Sequence, residues 1–158
     1  MPKQYWLMKS EPNVFSIEDL KNSPDGTAHW DGVRNYKARN YMRDEMKVGD
    51  VVLFYHSNID PSVVGTATVV REGYPDHTSW NKKEKYYDPG SPKDDPRWFM
   101  VDVKFKTRFP RPLLLAELRG VPGLDGMVLL KKGMRLSVQP VTADQYKVIV
   151  ALAKKRPR

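Results

Sequence analysis

The segment Gly49-Asp50-Val51-Val52-Leu53-Phe54-Tyr55-His56 carries the clearest structural signal in the sequence. Gly-Asp is typical of a turn, and the residues that follow it are almost all β-branched, aliphatic or aromatic. This composition predicts a compact apolar strand over residues 51–56. The segments on either side then decide the fold class, because several of them show the same strand-like pattern.

In residues 98–106 the side chains alternate between two faces, which is the period of a strand. Thirteen prolines and ten glycines divide the rest of the chain into short pieces, which suits short strands better than long helices. The predicted strands cover residues 5–9, 51–56, 63–72, 98–106 and 136–141.

Three helix starts are indicated by capping residues. Ser16 with Asp19 has the spacing of a capping box, and Thr142 has the same spacing with a glutamine three residues later. Asn35 is a third N-cap, for a helix that runs to about Met46. Strands and helices do not alternate as βαβ units, so the sequence predicts an α+β protein. The preferred architecture is a small, partly open barrel of five or six strands with helices packed outside.

The chain shows no internal repeat and no change of composition that would mark a domain boundary. We therefore expect one domain over residues 1–158, with a core at about 3–153 and a flexible basic tail at 154–158. Residues 73–96 are polar and contain four prolines. Such a long excursion inside a compact domain is either functional or poorly ordered.

Composition and charge exclude several classes of protein. Hydrophobic residues at 40% and charged residues at 29% are typical of a globular chain, and no apolar run is long enough to cross a bilayer. The absence of cysteine excludes disulfides and thiolate sites. We expect a cytoplasmic protein, nucleoid-associated if it binds DNA, or a nuclear one if the source is eukaryotic. The net charge of +8 favours a polyanionic partner.

The usual signatures of catalysis are missing from the sequence. It contains no glycine-rich phosphate loop and no Gly-x-Ser-x-Gly elbow. His29, His56 and His77 lack metal-ligand spacing. We therefore expect no enzyme activity, no cofactor and no metal, and an enzyme or small-molecule sensor is the least favoured alternative.

Three short stretches combine aromatic, amide and cationic residues, at 5–12, 30–40 and 54–58. Each lies at a predicted strand end or helix start. A nucleobase needs aromatic faces to stack on and polar groups that read its edge. The residues suited to this are Trp30 and Tyr55 for the faces; Lys9, Asn35, His56 and Ser57 for the edge; and Arg34, Arg39 and Arg43 for the phosphates.

Each of these residues also has a purely structural explanation. Trp30 can be a core anchor, His56 a hydrogen-bonded structural histidine, and Arg39 and Arg43 an ordinary solvated helix face. The concentration of all three chemical types in three short stretches is what favours a binding site.

The same stretches resemble the EVE domain family, a branch of the PUA-like superfamily. The resemblance implies a β-barrel of the kind shared with PUA and YTH domains. It also implies a pocket for a flipped, modified base, with 5-methylcytosine or 5-hydroxymethylcytosine in DNA as the leading ligands. In this sequence the family's pocket rim matches Lys9, Ser10, Trp30, Arg34, Asn35, Tyr55, His56 and Ser57. The segments that carry the resemblance are 5–7, 9–12, 30–36, 38–40, 49–50, 54–58, 95–98 and 136–141.

The functional hypothesis is a non-catalytic, monomeric reader of a modified base in DNA, in which Trp30 and Tyr55 sandwich the flipped ring. An RNA-binding module that reads a modified or unpaired base is the main alternative, because nothing in the sequence senses the 2′-hydroxyl. No membrane partner is expected.

Overall fold

A six-stranded mixed sheet forms the centre of the protein in the computed structural model, which describes residues 3–155. The sheet order is β2-β5-β4-β3-β1-β6; β1 and β3 are parallel, and all other neighbours are antiparallel. The α+β prediction is confirmed, and the predicted partly open barrel is a curled sheet that does not close. The strands are Tyr5–Ser10 (β1), Thr27–His29 (β2), Val51–His56 (β3), Ser62–Pro75 (β4), Phe99–Leu114 (β5) and Val138–Val141 (β6).

Three helices begin at the capping residues that the sequence indicates. Ser16 and Thr142 form reciprocal capping boxes, and Asn35 Oδ1 accepts from the Ala38 N–H at 3.0 Å. The predicted helix from Asn35 to Met46 is an α-helical turn followed by a π-helical turn at Tyr41–Glu45. The α-helices are Ile17–Lys21 (α1), Tyr36–Asn40 (α2), Leu115–Leu118 (α3) and Ala143–Lys154 (α4).

Strand β3 separates two hydrophobic cores because its apolar side chains alternate between the faces of the sheet. Val52 and Phe54 belong to the core that contains residues of α1 and α2. Leu53 and Tyr55 belong to the core that contains residues of α3 and α4. We call these the Phe54 face and the Tyr55 face of the sheet.

The turn that precedes β3 also fixes β1 beside it. The carboxylate of Asp50 is buried and accepts hydrogen bonds from the backbone N–H of Gln4 and of Lys47 and from Trp6 Nε1, at 2.9–3.0 Å. Parallel pairing then sets Lys9 opposite Tyr55 and Ser10 opposite His56. The carboxyl ends of β1 and β3 therefore lie side by side.

The structure differs from the sequence-based expectations in three places. Strand β2 is absent from the predicted set, since it has only three residues and lies at the edge of the sheet. Strands β4 and β5 are longer than predicted, because they form one long antiparallel pair that bulges permit to bend. Helix α4 includes Lys154, while 156–158 of the predicted tail lie outside the described residues. In residues 3–155 no helix is long and apolar enough to span a membrane.

Candidate nucleic-acid interface

The polar excursion between β4 and β5 covers residues 76–98, and we call it the strap. Asp76 anchors its first residues. The Asp76 side chain is fully buried. One carboxylate oxygen accepts from the Gly32 N–H at 2.9 Å and from Arg34 Nη1 at 3.0 Å. The other accepts from the N–H and the hydroxyl of Thr78. A single carboxylate thus joins the strap to the loop that precedes α2.

The hydrogen bonds at Asp76 determine its charge state. Burial alone would raise the pKa of this carboxyl, because it disfavours the charged form. The hydrogen bonds from Thr78, Gly32 and Arg34, together with the positive charge of Arg34, outweigh burial and hold the pKa of Asp76 below its ordinary value. The residue is therefore an anion at neutral pH and forms a buried ion pair with Arg34.

Gly32 is required where the strap covers the loop. Its φ of +76° is unfavourable for residues with a side chain, and a Cβ there would collide with the ring of Tyr86. The Tyr86 ring therefore lies directly on the backbone of this glycine. The Tyr86 carbonyl also accepts from Arg34 Nη2 at 2.6 Å, so Arg34 contacts both the beginning and the middle of the strap.

The far end of the strap is held by a second carboxylate. Asp88 accepts from Trp98 Nε1 at 2.6 Å and from Arg97 Nη1 at 3.1 Å. Its hydrogen bonds, first of all the one from Trp98, lower the pKa of Asp88. Trp98 is buried, and its ring stacks on that of Tyr36, the first residue of α2.

Cations and aromatic rings alternate across this part of the surface. The Arg39 guanidinium lies 4.8 Å from the centre of the Tyr36 ring, and Tyr36 stacks on Trp98 at 5.0 Å. Arg34 lies 5.3 Å from the Trp98 ring and 5.7 Å from the Tyr86 ring. We call the series Arg39–Tyr36–Trp98–Arg34–Tyr86 the cation–aromatic ladder. Cation–π attraction of this kind holds the guanidinium groups and the rings together.

The two tyrosines of the ladder are open to solvent. Tyr36 is 54% exposed and Tyr86 is 38% exposed, although a large aromatic ring is ordinarily buried. Arg43 extends the same surface: it pairs with Asp44 at 2.8 Å and lies 5.9 Å from the Phe99 ring. Burial first, and then the nearby charge of Arg43, lower the pKa of Arg39. Exposed rings between cations are the arrangement that single-strand binders use for bases and phosphates.

The predicted phosphate contacts differ in how free their guanidinium groups are. Arg34 is held by Asp76 and by the Tyr86 carbonyl. Arg39 donates to the Arg97 carbonyl and to Asn40 Oδ1. Arg43 is the most exposed of the three. Arg34 is therefore a structural member of the ladder, whereas Arg43 faces solvent and donates to both carboxylate oxygens of Asp44.

Three of the predicted pocket residues share the Phe54 face. The Trp30 ring meets Phe54 edge-on at 5.4 Å, and Phe54 meets the His56 ring edge-on at 5.6 Å. Ser10 is the cross-strand partner of His56 and donates to the Phe15 carbonyl. His56 Nε2 accepts from the Ile17 N–H at 3.0 Å. Burial, and then the charge of Arg108, lower the pKa of His56, which keeps the imidazole neutral.

A groove of about 680 Å³ opens beside His56. Ile17, Val64 and Phe109 are among its apolar lining residues, and the acidic residues Glu18 and Asp60 line it as well. Arg108 also lines the groove and forms an ion pair with Glu18. The structure thus provides a concave surface, partly apolar and partly charged, next to the strand ends of β1 and β3.

Lys9 and Tyr55 lie on the opposite side of the sheet. The Tyr55 ring is packed in the core of the Tyr55 face, and Lys9 Nζ lies 5.8 Å from the centre of that ring. Trp30 belongs to the other core. The predicted sandwich of one base between Trp30 and Tyr55 is therefore wrong, because the sheet itself separates the two rings.

The remaining predicted residues have local roles. Asn35 is exposed and its side-chain oxygen caps α2. The Ser57 N–H donates to the Ser10 carbonyl at 2.9 Å and continues the pairing of β1 with β3 by one residue. Within residues 3–155 no group of three or more histidine or acidic side chains could hold a metal ion.

Sequence reasoning missed the aromatic half of the ladder. Tyr36 and Trp98 lie in segments that carry the family resemblance but are not among the predicted site residues, and Tyr86 lies in the excursion. Several aromatic residues in or beside a polar, proline-rich stretch, Tyr86 and Trp98 among them, were the available signal. Such rings in a long loop need either a core to fill or a ligand to contact.

The chain matches the EVE domain family over residues 4–152 and belongs to that family. It is 45% identical to thymocyte nuclear protein 1 from Homo sapiens, over 97% of this chain and 75% of that protein. The resemblance found in the sequence is thereby confirmed.

Solved structures agree with this assignment. The structure of human THYN1 protein in complex with 5-methylcytosine-containing DNA has a TM-score of 0.92 and 44% identity, covering 98% of this chain and 100% of that one. A hypothetical protein from Leishmania major has a TM-score of 0.91 and 49% identity, over 97% and 96% of the two chains. An ASCH protein from Zymomonas mobilis, with a TM-score of 0.57 and 12% identity, shares the fold alone.

The buried carboxylate predicts a specific loss of stability in acid. Because the folded-state pKa of Asp76 is lowered, its contribution is present above the unfolded pKa of about 3.9 and is lost as pH falls through the folded-state value. Asp76→Asn removes the charge opposite Arg34. We expect the free energy of unfolding at pH 7 to fall by about 3–5 kcal/mol, and its decline below about pH 4 to become shallower.

Urea unfolding over a pH series measures both effects. Asp94→Asn, which changes an exposed carboxylate of the same strap, is the matched control and should behave like the unmodified protein. Equal stability of the two variants at pH 7 would contradict the role assigned to Asp76.

Proposed function

We propose that this protein is a non-catalytic DNA-binding module that recognises a modified cytosine, of the 5-methylcytosine or 5-hydroxymethylcytosine type, after the base leaves the helical stack. The observation that carries the proposal is the exposed cation–aromatic ladder. The EVE relative solved with 5-methylcytosine-containing DNA supports it, since that relative is similar over almost the whole chain. The net charge of +8 supplies long-range attraction for a polyanion.

The ladder offers what an unstacked strand needs. Taking a base out of the duplex costs a few kcal/mol, while stacking on an aromatic ring contributes roughly 1–3 kcal/mol per base. The exposed rings of Tyr36 and Tyr86 provide such surfaces. Arg39 and Arg43 lie at the Tyr36 end of the ladder, where phosphates of the same strand can bind them.

We place the recognised base on the Phe54 face of the sheet. Trp30, Ser10 and His56 share that face, Ser57 follows directly, and the groove opens beside His56. Neutral His56 accepts from the Ile17 N–H through Nε2, so its Nδ1–H is the group that can donate to a base edge. The loop that begins at Trp30 ends at Asn35, whose side chain caps α2. Lys9 and Tyr55 belong to the other face and take no part in this contact.

We further propose that the protein has no enzyme activity and binds DNA as a monomer. It would do so in the nucleus of a eukaryote or at the nucleoid of a bacterium. The relatives named thymocyte nuclear protein 1 are consistent with the first case. RNA that carries the same modified base is the competing ligand for the binding assays.

Matched duplexes that differ in one methyl group test the proposal directly. One methyl group in an apolar site is worth about 1–3 kcal/mol, so we expect the methylated duplex to bind roughly 5- to 150-fold more tightly. Fluorescence titration at several salt concentrations measures both affinities. An RNA oligonucleotide with the same base should bind more weakly than the DNA. Equal affinity for methylated and unmethylated duplexes at every salt concentration would contradict the proposal.

The exposed ring of Tyr36 should contribute strongly to affinity. Tyr36→Ala removes one stacking surface and should weaken binding of both duplexes by roughly 5- to 150-fold. Tyr36→Phe keeps the ring and should bind like the unmodified protein. The side chain is half exposed, so both variants should fold, which a thermal unfolding curve verifies. Unchanged affinity of Tyr36→Ala would exclude the ladder from the interface.

Arg43 should act on phosphates and not on the base. Arg43→Ala should weaken methylated and unmethylated duplexes alike and reduce the slope of log K against log salt by about 0.9. Lys104→Ala is the matched control, since Lys104 is also an exposed cation paired with an exposed acid. The same change of slope in both variants would show that only net charge matters.

A further inference from the structure

A second group of cations lies at the edge of the Tyr55 face, away from the ladder. It consists of Arg119, Lys131, Lys132 and Arg135, all of them exposed, and we call it the basic arc. Residues 126–138 contain three of these cations and no acidic residue. The arc plays no part in the proposed recognition of the base, so its concentration of charge needs another explanation.

The loop that carries the arc is held in one place by β1. Lys9 Nζ donates to the Met134 carbonyl at 3.2 Å, and the Lys9 N–H donates to the Ser137 carbonyl at 2.9 Å. Gly133, with φ of +72°, makes the tight turn between Lys132 and Met134. The cations therefore project from a fixed backbone, which lowers the entropy cost of binding a ligand.

Arg119 is close enough to Tyr55 for its charge to act on the phenol. Burial raises the pKa of the Tyr55 hydroxyl, and the positive charge of Arg119 acts against that rise. Lys9 Nζ lies 5.8 Å from the centre of the same ring, and burial lowers the pKa of its amine. Tyr55 and Lys9 therefore connect Arg119 with the loop of residues 131–135.

Among the described residues, no member of the arc forms an ion pair with a carboxylate. Ion pairs within residues 3–155 include Arg34, Arg43, Arg97, Arg108 and Arg111, but none includes a member of the arc. A phosphate that binds there would not have to displace a carboxylate. An uncompensated group of this kind is the electrostatic signature of a polyanion site.

We propose that the basic arc is a second contact surface for the DNA backbone, which rests on the proposed function and extends it. The carboxyl ends of β1 and β3 connect the two surfaces: Ser10 and His56 point to the Phe54 face, while Lys9 and Tyr55 point to the arc. DNA that presents its modified base to the first side therefore extends over the strand ends towards the second. The arc binds phosphates of methylated and unmethylated DNA alike, so it contributes no preference for the methyl group.

Neutralising two members of the arc tests this assignment. Lys131→Gln/Lys132→Gln removes two exposed charges, and Lys104→Gln/Lys106→Gln on β5 removes the same number elsewhere. With the full chain and an unmethylated duplex, the arc variant should lose about 1.8 of the slope of log K against log salt, and the control should lose much less. The ratio of affinities for methylated and unmethylated duplexes should stay as in the unmodified protein.

The outcomes separate this inference from the function on which it rests. An arc variant whose salt slope equals that of the β5 control overturns the arc and leaves base recognition intact. A normal loss of slope without any methylation preference in the unmodified protein overturns base recognition and supports the arc. Failure of the unmodified protein to bind either duplex overturns both.

Discussion

The buried carboxylate of Asp76 is the interaction on which the candidate interface depends. It fixes the backbone of Gly32, the guanidinium of Arg34 and the start of the strap at one point. Arg34 connects this anchor to the exposed rings, because its side chain also donates to the Tyr86 carbonyl and lies near the Tyr86 and Trp98 rings. The hydrogen bonds that lower the pKa of Asp76 thus also position the exposed rings. The strap is polar, so hydrogen bonds to Asp76 at its start and to Asp88 at its far end hold it against the rest of the protein.

The alternation of β3 imposes the second constraint, since it assigns neighbouring residues to opposite faces of the sheet. Phe54 and His56 belong to the side of Trp30, and Tyr55 belongs to the side of Lys9. Residues adjacent in the sequence therefore lie on opposite sides of the sheet. We accordingly propose two surfaces for one DNA ligand. The side of Trp30 and His56, with the ladder, is proposed for the bases, and the basic arc for the backbone.

Local patterns predicted much of the fold. The capping residues Ser16, Asn35 and Thr142 start helices as expected, and the apolar run before His56 forms β3 with the predicted bounds. The site was predicted less completely, because its geometry depends on contacts between residues far apart in sequence. Trp30 and Tyr55 looked equivalent as aromatic residues. The alternation of side chains along β3 puts Tyr55 in one core, and the contact of the Trp30 ring with Phe54 puts Trp30 in the other. Trp98, on which Tyr36 stacks, lies about sixty residues away in the sequence, so no local pattern could reveal the stack.

A crystal structure of the protein bound to a duplex with one 5-methylcytosine tests the central claim most directly. The account predicts that the methylated base lies outside the helical stack on the side of Trp30 and His56, with Tyr36 or Tyr86 against a neighbouring base or sugar. A base that remains paired within the duplex, or one that lies against Tyr55, would contradict it.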